Sequence, residues 1–408
     1  MLNRLWFSFF LIGFIACVYQ TMIGNTEVFN LVMASVFHMS KVAVEIAIGL
    51  VGLMCFWLGL FKVIEQAGLI QYLSRALAPL FAVIMPEVPK NHPAQSAITM
   101  NLAANMLGLD NAATPIGIKA MQSLQSLNPL KNTASNAQIL FLVLNTSSVT
   151  LLPVTIFMYR AQAGAASSTD VFLPILLATS ASSFVGLISV AAIQRLPIYK
   201  PVVMAYFSVF ALLVAGLCLT IQTLSHEVLQ LYSSLSANIL LFSFIMFALG
   251  FAYVKKLDVY EQFIEGAKEG FKTAIDLIPF LLAMLVAIGV LRSSGALNLL
   301  TSGLGYLLSL AHWPEEIAEA LPTAFMKPFS GSGSRAMMLE SFNHFGVDSL
   351  VGRMTSVMQG STETTFYVIA VYFGAVGIKF GRHAIFCGLL ADLAGLSAAV
   401  VISTLFFT

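Results

Sequence analysis

Apolar runs close to twenty residues long recur along the chain, and they decide most of what it can fold into. A helix needs roughly 20 apolar residues to cross a bilayer. Nine spans are expected, near Leu5–Ile23, Val42–Phe61, Ile139–Tyr159, Val171–Ile193, Val203–Leu224, Ile239–Val254, Leu277–Leu291, Thr355–Ile378 and Ala384–Phe406. Of 408 residues, 58% are hydrophobic and 10% charged, so no stretch remains for a separate soluble core. The first run follows Arg4 without a small-residue cleavage site and is read as a retained span. The net charge of +1 gives no basic surface for nucleic acid, and the partner to expect is the lipid bilayer.

One of these runs is interrupted. Gln359–Tyr367 reads QGSTETTFY, placing an amide, a glycine, hydroxyls and the ionisable Glu363 inside Thr355–Ile378. A carboxylate at membrane depth is costly unless something satisfies it, and marks a functional site by default. Gly360 exposes backbone, and Ser and Thr compete for backbone hydrogen bonds, so helix is weakened there. Irregular backbone at depth is tolerated only beside protein or a polar cavity, so a broken helix is expected. A second interruption, Asn145–Pro153 or NTSSVTLLP, lies in Ile139–Tyr159. At an offset of 214 Asn145 faces Gln359, Ser147 faces Ser361, Ser148 faces Thr362 and Thr150 faces Thr364. Val149 falls opposite Glu363, so the polarity is shared but the carboxylate is not.

The halves repeat elsewhere too. At an offset of 227 Val63/Val290, Gly68/Gly295, Leu73/Leu300, Leu77/Leu304 and Leu80/Leu307 are identical. Four spans per half plus the single connector Val203–Leu224 make the halves inverted, an arrangement shared by many secondary transporters. The expected fold is an all-α polytopic membrane protein built from two inverted repeats, with re-entrant hairpins and broken transmembrane helices. The repeats are residues 1–198 and 236–408, joined by a connector at 199–235. With the N-terminus cytoplasmic, fourteen Lys and Arg fall inside and six outside. Asp258–Ile275 reads as an amphipathic helix in the interface plane that links spans.

A helix–turn–helix is expected in each mixed stretch before a broken span. In Asn101–Met121, Gly108 ends one arm, Asp110 or Asn111 caps the next, and Pro115 sits in its first turn. In Lys327–Phe342, Gly331 and Gly333 open the turn and Ser332 or Ser334 caps. Helix N-termini bring free N–H groups to a cavity, which suits substrate oxygens. Glu45, Glu340 and Asp392 read as structural pairs or span-end residues. For Glu363 the structural alternative is an ion pair with Lys119 or Arg353. The four cysteines stand singly in apolar runs and read as buried thiols. No histidine has ligand spacing, so no metal site is expected. No nucleophile–base pair or phosphate loop appears, so enzyme activity is not expected.

With these residues in view, the chain resembles a fusion of the spore maturation proteins A and B. NLAANMLGLDNAATPIGIKAM and NTSS resemble the A protein; PFSGSGSRAMM and QGSTETTFY resemble the B protein. Both belong to the nucleoside-recognition or gate-domain group, with the gate domains of ferrous-iron transporter B and kinship to concentrative nucleoside transporters. In those transporters, the resemblance implies, hairpin tips and unwound helices hold the substrate between inverted repeats. An Asn-x-Ser-Ser element there is similar to Asn145, Ser147 and Ser148, and a Gly-x-Thr-Glu element to Gly360, Thr362 and Glu363, in swapped order.

The function expected is secondary transport of a small polar solute across the bacterial inner membrane, nucleoside-like by resemblance alone. Glu363 and Asp110 would bind a cationic or hydroxyl group of the solute, or a coupling ion, Na+ or H+. Asn145, Ser147, Ser148, Thr362 and Gln359 would supply hydrogen bonds. Asn111, Thr114, Ser332, Ser334, Ser361 and Thr364 complete the candidate site. A homo-oligomer is expected. The alternatives are a structural or assembly protein of envelope maturation, and a cation permease.

Overall fold

The computed structural model describes residues 2–408 except 90, 91, 109, 148, 311, 312 and 315. The described residues form helices and no strand beyond a single bridge, Thr133 to Phe380. That follows from the apolar sequence, because a helix satisfies its own backbone where water is absent. The first half holds α1 (Leu2–Met22), α2 (Val28–Ala67), α3 (Leu69–Ile84), α4 (Pro93–Met106), α5 (Asp110–Leu127), α6 (Asn136–Thr146), α7 (Val154–Gln162) and α8 (Phe172–Gln194). After the connector α9 (Pro201–Thr223), the second half holds α10 (His226–Val254), α11 (Val259–Ser293), α12 (Ala296–Leu310), α13 (Glu316–Met326) and α14 (Gly331–Phe345). It closes with α15 (Leu350–Ser361), α16 (Thr365–Gly374) and α17 (Ala384–Phe407).

The two halves run through the same parts in the same order. A long helix, a shorter one, a hairpin, two short helices and a 23- or 24-residue helix appear in each. The local stops recur as well. α2 ends where Gly68 takes φ 78°, and α11 ends just before Gly295 at φ 75°. Only glycine adopts that region at little cost, which accounts for the Gly68/Gly295 identity. Ser135 caps α6 in a capping box with Gln138, and Ser349 caps α15 by accepting from the Gly352 N–H at 3.0 Å.

Small residues hold the largest helix pair together. A Cβ on Gly266 would stand 2.5 Å from the Leu58 carbonyl, and one on Gly270 would stand 2.6 Å from that of Met54. The backbones of α2 and α11 therefore touch, as small residues allow between membrane helices. Gly59 meets Phe263 while Gly289 meets Met39, so this pair is antiparallel. α8 and α17 are antiparallel too, with Gly186 against Ala391 and Gly395 against Ser182.

Six of the described helices are long and apolar enough to cross a membrane, against the nine spans expected. The expected spans Ile139–Tyr159 and Thr355–Ile378 are each two short helices, α6 with α7 and α15 with α16. α9 is a helix as expected, with a shorter apolar stretch, Pro201–Gly216. Asp258–Ile275 is not a separate interfacial helix. It is the first half of the 35-residue α11, because Gly266 and Gly270 seat it on α2 with no break before Leu277. Cys17 and Cys387 are buried, whereas Cys55 is half-buried; the Cys218 side chain lies outside the described residues.

Candidate functional site

The two interruptions meet. α6 stops at Thr146, and the next helix, α7, begins at Val154. α15 stops at Ser361, with Thr362 extended at φ −146° and ψ 168° before α16 begins at Thr365. The Glu363 N–H donates to the Thr146 carbonyl at 2.8 Å, tying one break to the other. Each break is also tied to the hairpin of its own half. Leu151 N–H donates to the Met106 carbonyl at 2.9 Å, and Phe366 N–H to the Pro328 carbonyl at 3.0 Å. Unpaired backbone polar groups away from water cost several kcal/mol, so these three bonds are what let the helices stay broken.

Both hairpins form, with tips built differently from expectation. α4 ends at Met106, and Gly108 takes φ 72° with its backbone against the Leu152 carbonyl. Pro115 lies beyond the first turn of α5, since that helix starts at Asp110. In the second hairpin the cap is Ser330, whose Oγ accepts from the Gly333 N–H at 3.0 Å. Gly331, Ser332, Gly333 and Ser334 are all inside α14, so neither Ser332 nor Ser334 caps it. Ser334 Oγ instead donates to the Thr323 carbonyl at 2.9 Å, joining the two arms. Ser332 Oγ lies 3.3 Å from Ser330 Oγ.

Around the first break most polar side chains bond to one another, while Asn101 Oδ1 and Thr146 Oγ1 have no well-formed partner among the described residues. Asn145 Oδ1 accepts from Asn105 Nδ2 at 2.7 Å and from the Tyr372 hydroxyl at 3.3 Å. Its Nδ2 donates to the Phe141 carbonyl at 2.8 Å. Asn101 Nδ2 donates to the Ala113 carbonyl at 2.7 Å and lies 3.3 Å from the same phenol. Tyr372 stacks on Phe141 and reaches in over Gly117, where a Cβ would strike its hydroxyl. Ser147 Oγ donates to the Val143 carbonyl at 2.9 Å, the local bond that polar helix residues often make.

Around the second break the groups are charged. Lys327, 3% exposed, donates to the Gln359 carbonyl at 2.7 Å and so places a cation on the C-terminal end of α15. Ser361 Oγ donates to the Met358 carbonyl at 2.8 Å. Thr364 is buried against the hairpin tip at Gly331. Glu363 is exposed and stands within Coulombic reach of Tyr372. Among the described residues it makes no ion pair; Arg353 instead donates to Asp170 at 2.9 Å. Glu45 pairs with Lys41 and Glu340 with Arg292, as expected of structural acids. Asp392 does neither: it sits inside α17, 1% exposed, facing the Thr362 and Thr365 hydroxyls with no well-formed hydrogen bond among the described residues.

Asn145, Gln359, Thr362, Glu363 and Thr364 are thus gathered at one crossing. Ser147, Ser334 and Ser361 are gathered there too, with their hydroxyls given to helix carbonyls. Thr114 is half-buried in α5. The Asp110 and Asn111 side chains, and all of Ser148, lie outside the described residues. The sequence reading missed Asn101, Asn105, Tyr372 and Lys327. Asn101 and Asn105 stand four apart on one helix, a spacing that places both on one face and could have been noticed.

A cavity of about 500 Å³ opens where the first break re-enters helix at Val154; Asn145, Gln359 and Glu363 are not among its lining residues. Gly108 and Pro115 of one hairpin line it, with Arg335 of the other, Tyr159 of α7, and Trp57 and Phe61 of α2. The Arg335 guanidinium lies 5.4 Å over the Tyr159 ring. A second cavity, about 540 Å³, lies near Asn128 and Arg382, and neither break nor hairpin tip lines it. The first is therefore the candidate site.

A buried ionic cluster closes one end of the crossing helices. Arg160 is fully buried and donates to Asp170 at 2.9 Å, Asp348 at 3.1 Å and the Val347 carbonyl at 3.0 Å. Arg353 joins through Asp170. At the other end, Lys379 and Phe380 N–H both donate to the Asn132 carbonyl, at 2.9 and 3.0 Å. Arg160 to Asp348, Arg353 to Asp170 and Lys379 to Asn132 each link one half to the other.

No solved structure matches the chain. Among curated proteins it is 49% identical over 154 residues to spore maturation protein B of Bacillus subtilis (strain 168), covering 38% of this chain and 85% of that protein. It is 39% identical over 188 residues to spore maturation protein A of the same organism, covering 46% of this chain and 93% of that protein. The similarity to both is that of a fused A/B protein. The Gate family, described as nucleoside recognition, matches residues 47–162 and 274–379, more than half of the chain. Those stretches run from within α2 to the end of α7 and from within α11 past α16, so each contains a hairpin and a broken helix, and the chain belongs to the Gate family of membrane proteins.

Proposed function

We propose that this protein is a secondary transporter of a small polar, nucleoside-like solute, working by alternating access between two inverted repeats. The observation that carries the proposal is the paired crossing of the broken helices, Glu363 N–H to Thr146 carbonyl, beside a cavity that both hairpins line. Discontinuous helices near the midplane are where secondary transporters bind solute. Antiparallel contact between α2 and α11, and between α8 and α17, supports the inversion, because the members of each pair hold the same place in the two halves. The description of the family supports a nucleoside-like solute. Glu363 is its charged contact in this reading, and the Tyr159, Trp57 and Phe61 rings supply faces for a planar base.

A purely structural membrane protein would be expected to close its breaks and pair its acids. Glu363 is exposed and the cavity is open, which supports transport over that rival. The expected location is the bacterial inner membrane with the N-terminus cytoplasmic. Cysteines at Ala112 and Ser332 then label from opposite faces, and labelling of both from one face overturns the inversion. The test of function is uptake of labelled uridine and adenosine by protein reconstituted in liposomes. Saturable uptake, with each nucleoside competing, is expected. Absence of both uptake and nucleoside binding by folded protein overturns the substrate class.

A further inference from the structure

Asp392 has a carboxylate at membrane depth that the site described so far does not use. It lies in the interior of α17, one turn from Gly388 and one turn from Gly395. Residues three and four apart share a helix face, so these three form one stripe. The two glycines let neighbours come unusually close to it. A Cβ on Gly388 would stand 2.8 Å from Thr365 Cγ2 and 3.7 Å from Thr146 Cγ2. A Cβ on Gly395 would stand 2.7 Å from Thr362 Cγ2 and 2.9 Å from Ser182 Cβ. Both breaks and α8 therefore press on the face that carries Asp392.

The oxygens brought there, a carboxylate and four hydroxyls, form a buried and loosely bonded cluster. Both carboxylate oxygens of Asp392, and the hydroxyls of Thr146, Ser182, Thr362 and Thr365, are buried with no well-formed protein hydrogen bond among the described residues. The Thr362 and Thr365 hydroxyls face the carboxylate and act on it electrostatically, as do Lys327 and Glu363 at longer range. The Lys327 ammonium is engaged with the Gln359 carbonyl. Glu363 is exposed, so among the described residues Asp392 is the buried carboxylate here, and its opposing charge, Lys327, is already engaged elsewhere. A buried carboxylate in that state is costly unless paired or bound to a metal ion.

We propose that Asp392, Thr362 and Thr365 form a binding site for a sodium-class monovalent cation, with Thr146 and Ser182 completing the oxygen shell. Hard cations prefer carboxylate, hydroxyl and carbonyl oxygens, and this cluster offers no soft ligand. The C-terminal end of α15 adds backbone carbonyl dipoles of the favourable sign. Thr362 and Thr365 flank Glu363, so a cation there fixes the extended segment that carries Glu363. Cation binding stands on the surroundings of Asp392 alone; coupling of that cation to solute rests on the transport reading.

The test uses the full-length protein purified in detergent. Its unfolding temperature is measured in NaCl, KCl and choline chloride at equal ionic strength and constant pH. A ligand that binds only the folded state raises that temperature in a saturable way. Sodium should do so and choline should not. Asp392→Asn should abolish the sodium-dependent shift. Thr365→Val should keep the fold and weaken the apparent sodium affinity roughly tenfold or more, which preserves the test if Asp392→Asn does not fold. No sodium-dependent shift in the wild type overturns the proposal, as does a shift that survives Asp392→Asn. A change with pH alone, insensitive to sodium and lost in Asp392→Asn, also overturns it and makes Asp392 a proton carrier beside Glu363 and Lys327. Liposome uptake separates the two readings. Sodium binding without uptake leaves the cation site standing and removes transport; uptake unaffected by sodium leaves transport standing and removes the coupling of this cation to it.

Discussion

The two breaks occupy the same place in their halves and solve the same backbone problem, yet their side chains differ in kind. The first is closed by neutral groups that bond to each other: Asn145, Asn105, Asn101 and Tyr372. The second carries Lys327, Glu363 and Asp392, with several hydroxyls that find no protein partner. Breaking a helix therefore does not require charge. Crossing bonds such as Glu363 N–H to Thr146 carbonyl suffice for the backbone. The carboxylates of Glu363 and Asp392 take no part in those bonds, which is where selection for a ligand would leave its mark. The first break reads as scaffold and the second as working part.

Substitutions that separate scaffold from working part test this contrast, and their expected costs in stability fall in a clear order. Lys327→Met has the largest. It removes the cation from the Gln359 carbonyl and leaves Asp392 and Glu363 without their nearest opposing charge. Removing one member of a buried charged set costs about 3–5 kcal/mol. A large fall in melting temperature and in folded yield is expected, and an unchanged melting temperature would show that Lys327 does not hold the second break.

Asn145→Ala comes next. It leaves the Asn105 amide and the Tyr372 hydroxyl without their shared acceptor. Each buried donor left unpaired costs about 1–3 kcal/mol, and a loss of about 2–3 kcal/mol in all is expected. Tyr372→Phe removes a single hydroxyl from the same cluster, at a cost of about 1 kcal/mol. Because the first break is scaffold, uptake by Tyr372→Phe should match wild type once expression is equalised. Uptake lost without any change in melting temperature would move Tyr372 from scaffold to site.

The sequence showed the two breaks and the two hairpins because each interrupts an apolar run with residues that weaken helix. It also showed two matched helix stops, Gly68 and Gly295, whose backbone demand permits little else. What it hid depends on partners far along the chain. Nothing local says that Asp258–Ile275 continues into its span, since the seat for Gly266 and Gly270 is α2, some two hundred residues earlier. Ser330 was passed over as a cap because Ser332 and Ser334 offered the same chemistry nearby, and only the backbone decides among them. Asp392 looked like an ordinary acid on a span. The glycines on either side, at four before and three after, were the available signal that something packs closely against it.

Glu363→Gln has the smallest expected effect on stability and is the sharpest test of the contrast. Glu363 is exposed and makes no ion pair among the described residues, so its carboxylate contributes little to the fold. Its backbone N–H, which ties the breaks together, is untouched by the substitution. The amide keeps the shape and adds a donor while removing the charge and the capacity to titrate. Melting temperature should stay within the range of ordinary surface substitutions, about 0.5 kcal/mol. Uptake should nevertheless be lost, because a neutral amide attracts neither a cation nor a cationic group on the solute. Glu363→Ala should lose uptake equally, again with a small stability change. Measured side by side in liposomes, full uptake by Glu363→Gln would remove Glu363 from the mechanism. Collapse of both variants would mean that the second break is scaffold after all, and that the contrast between the two halves is one of composition and not of role.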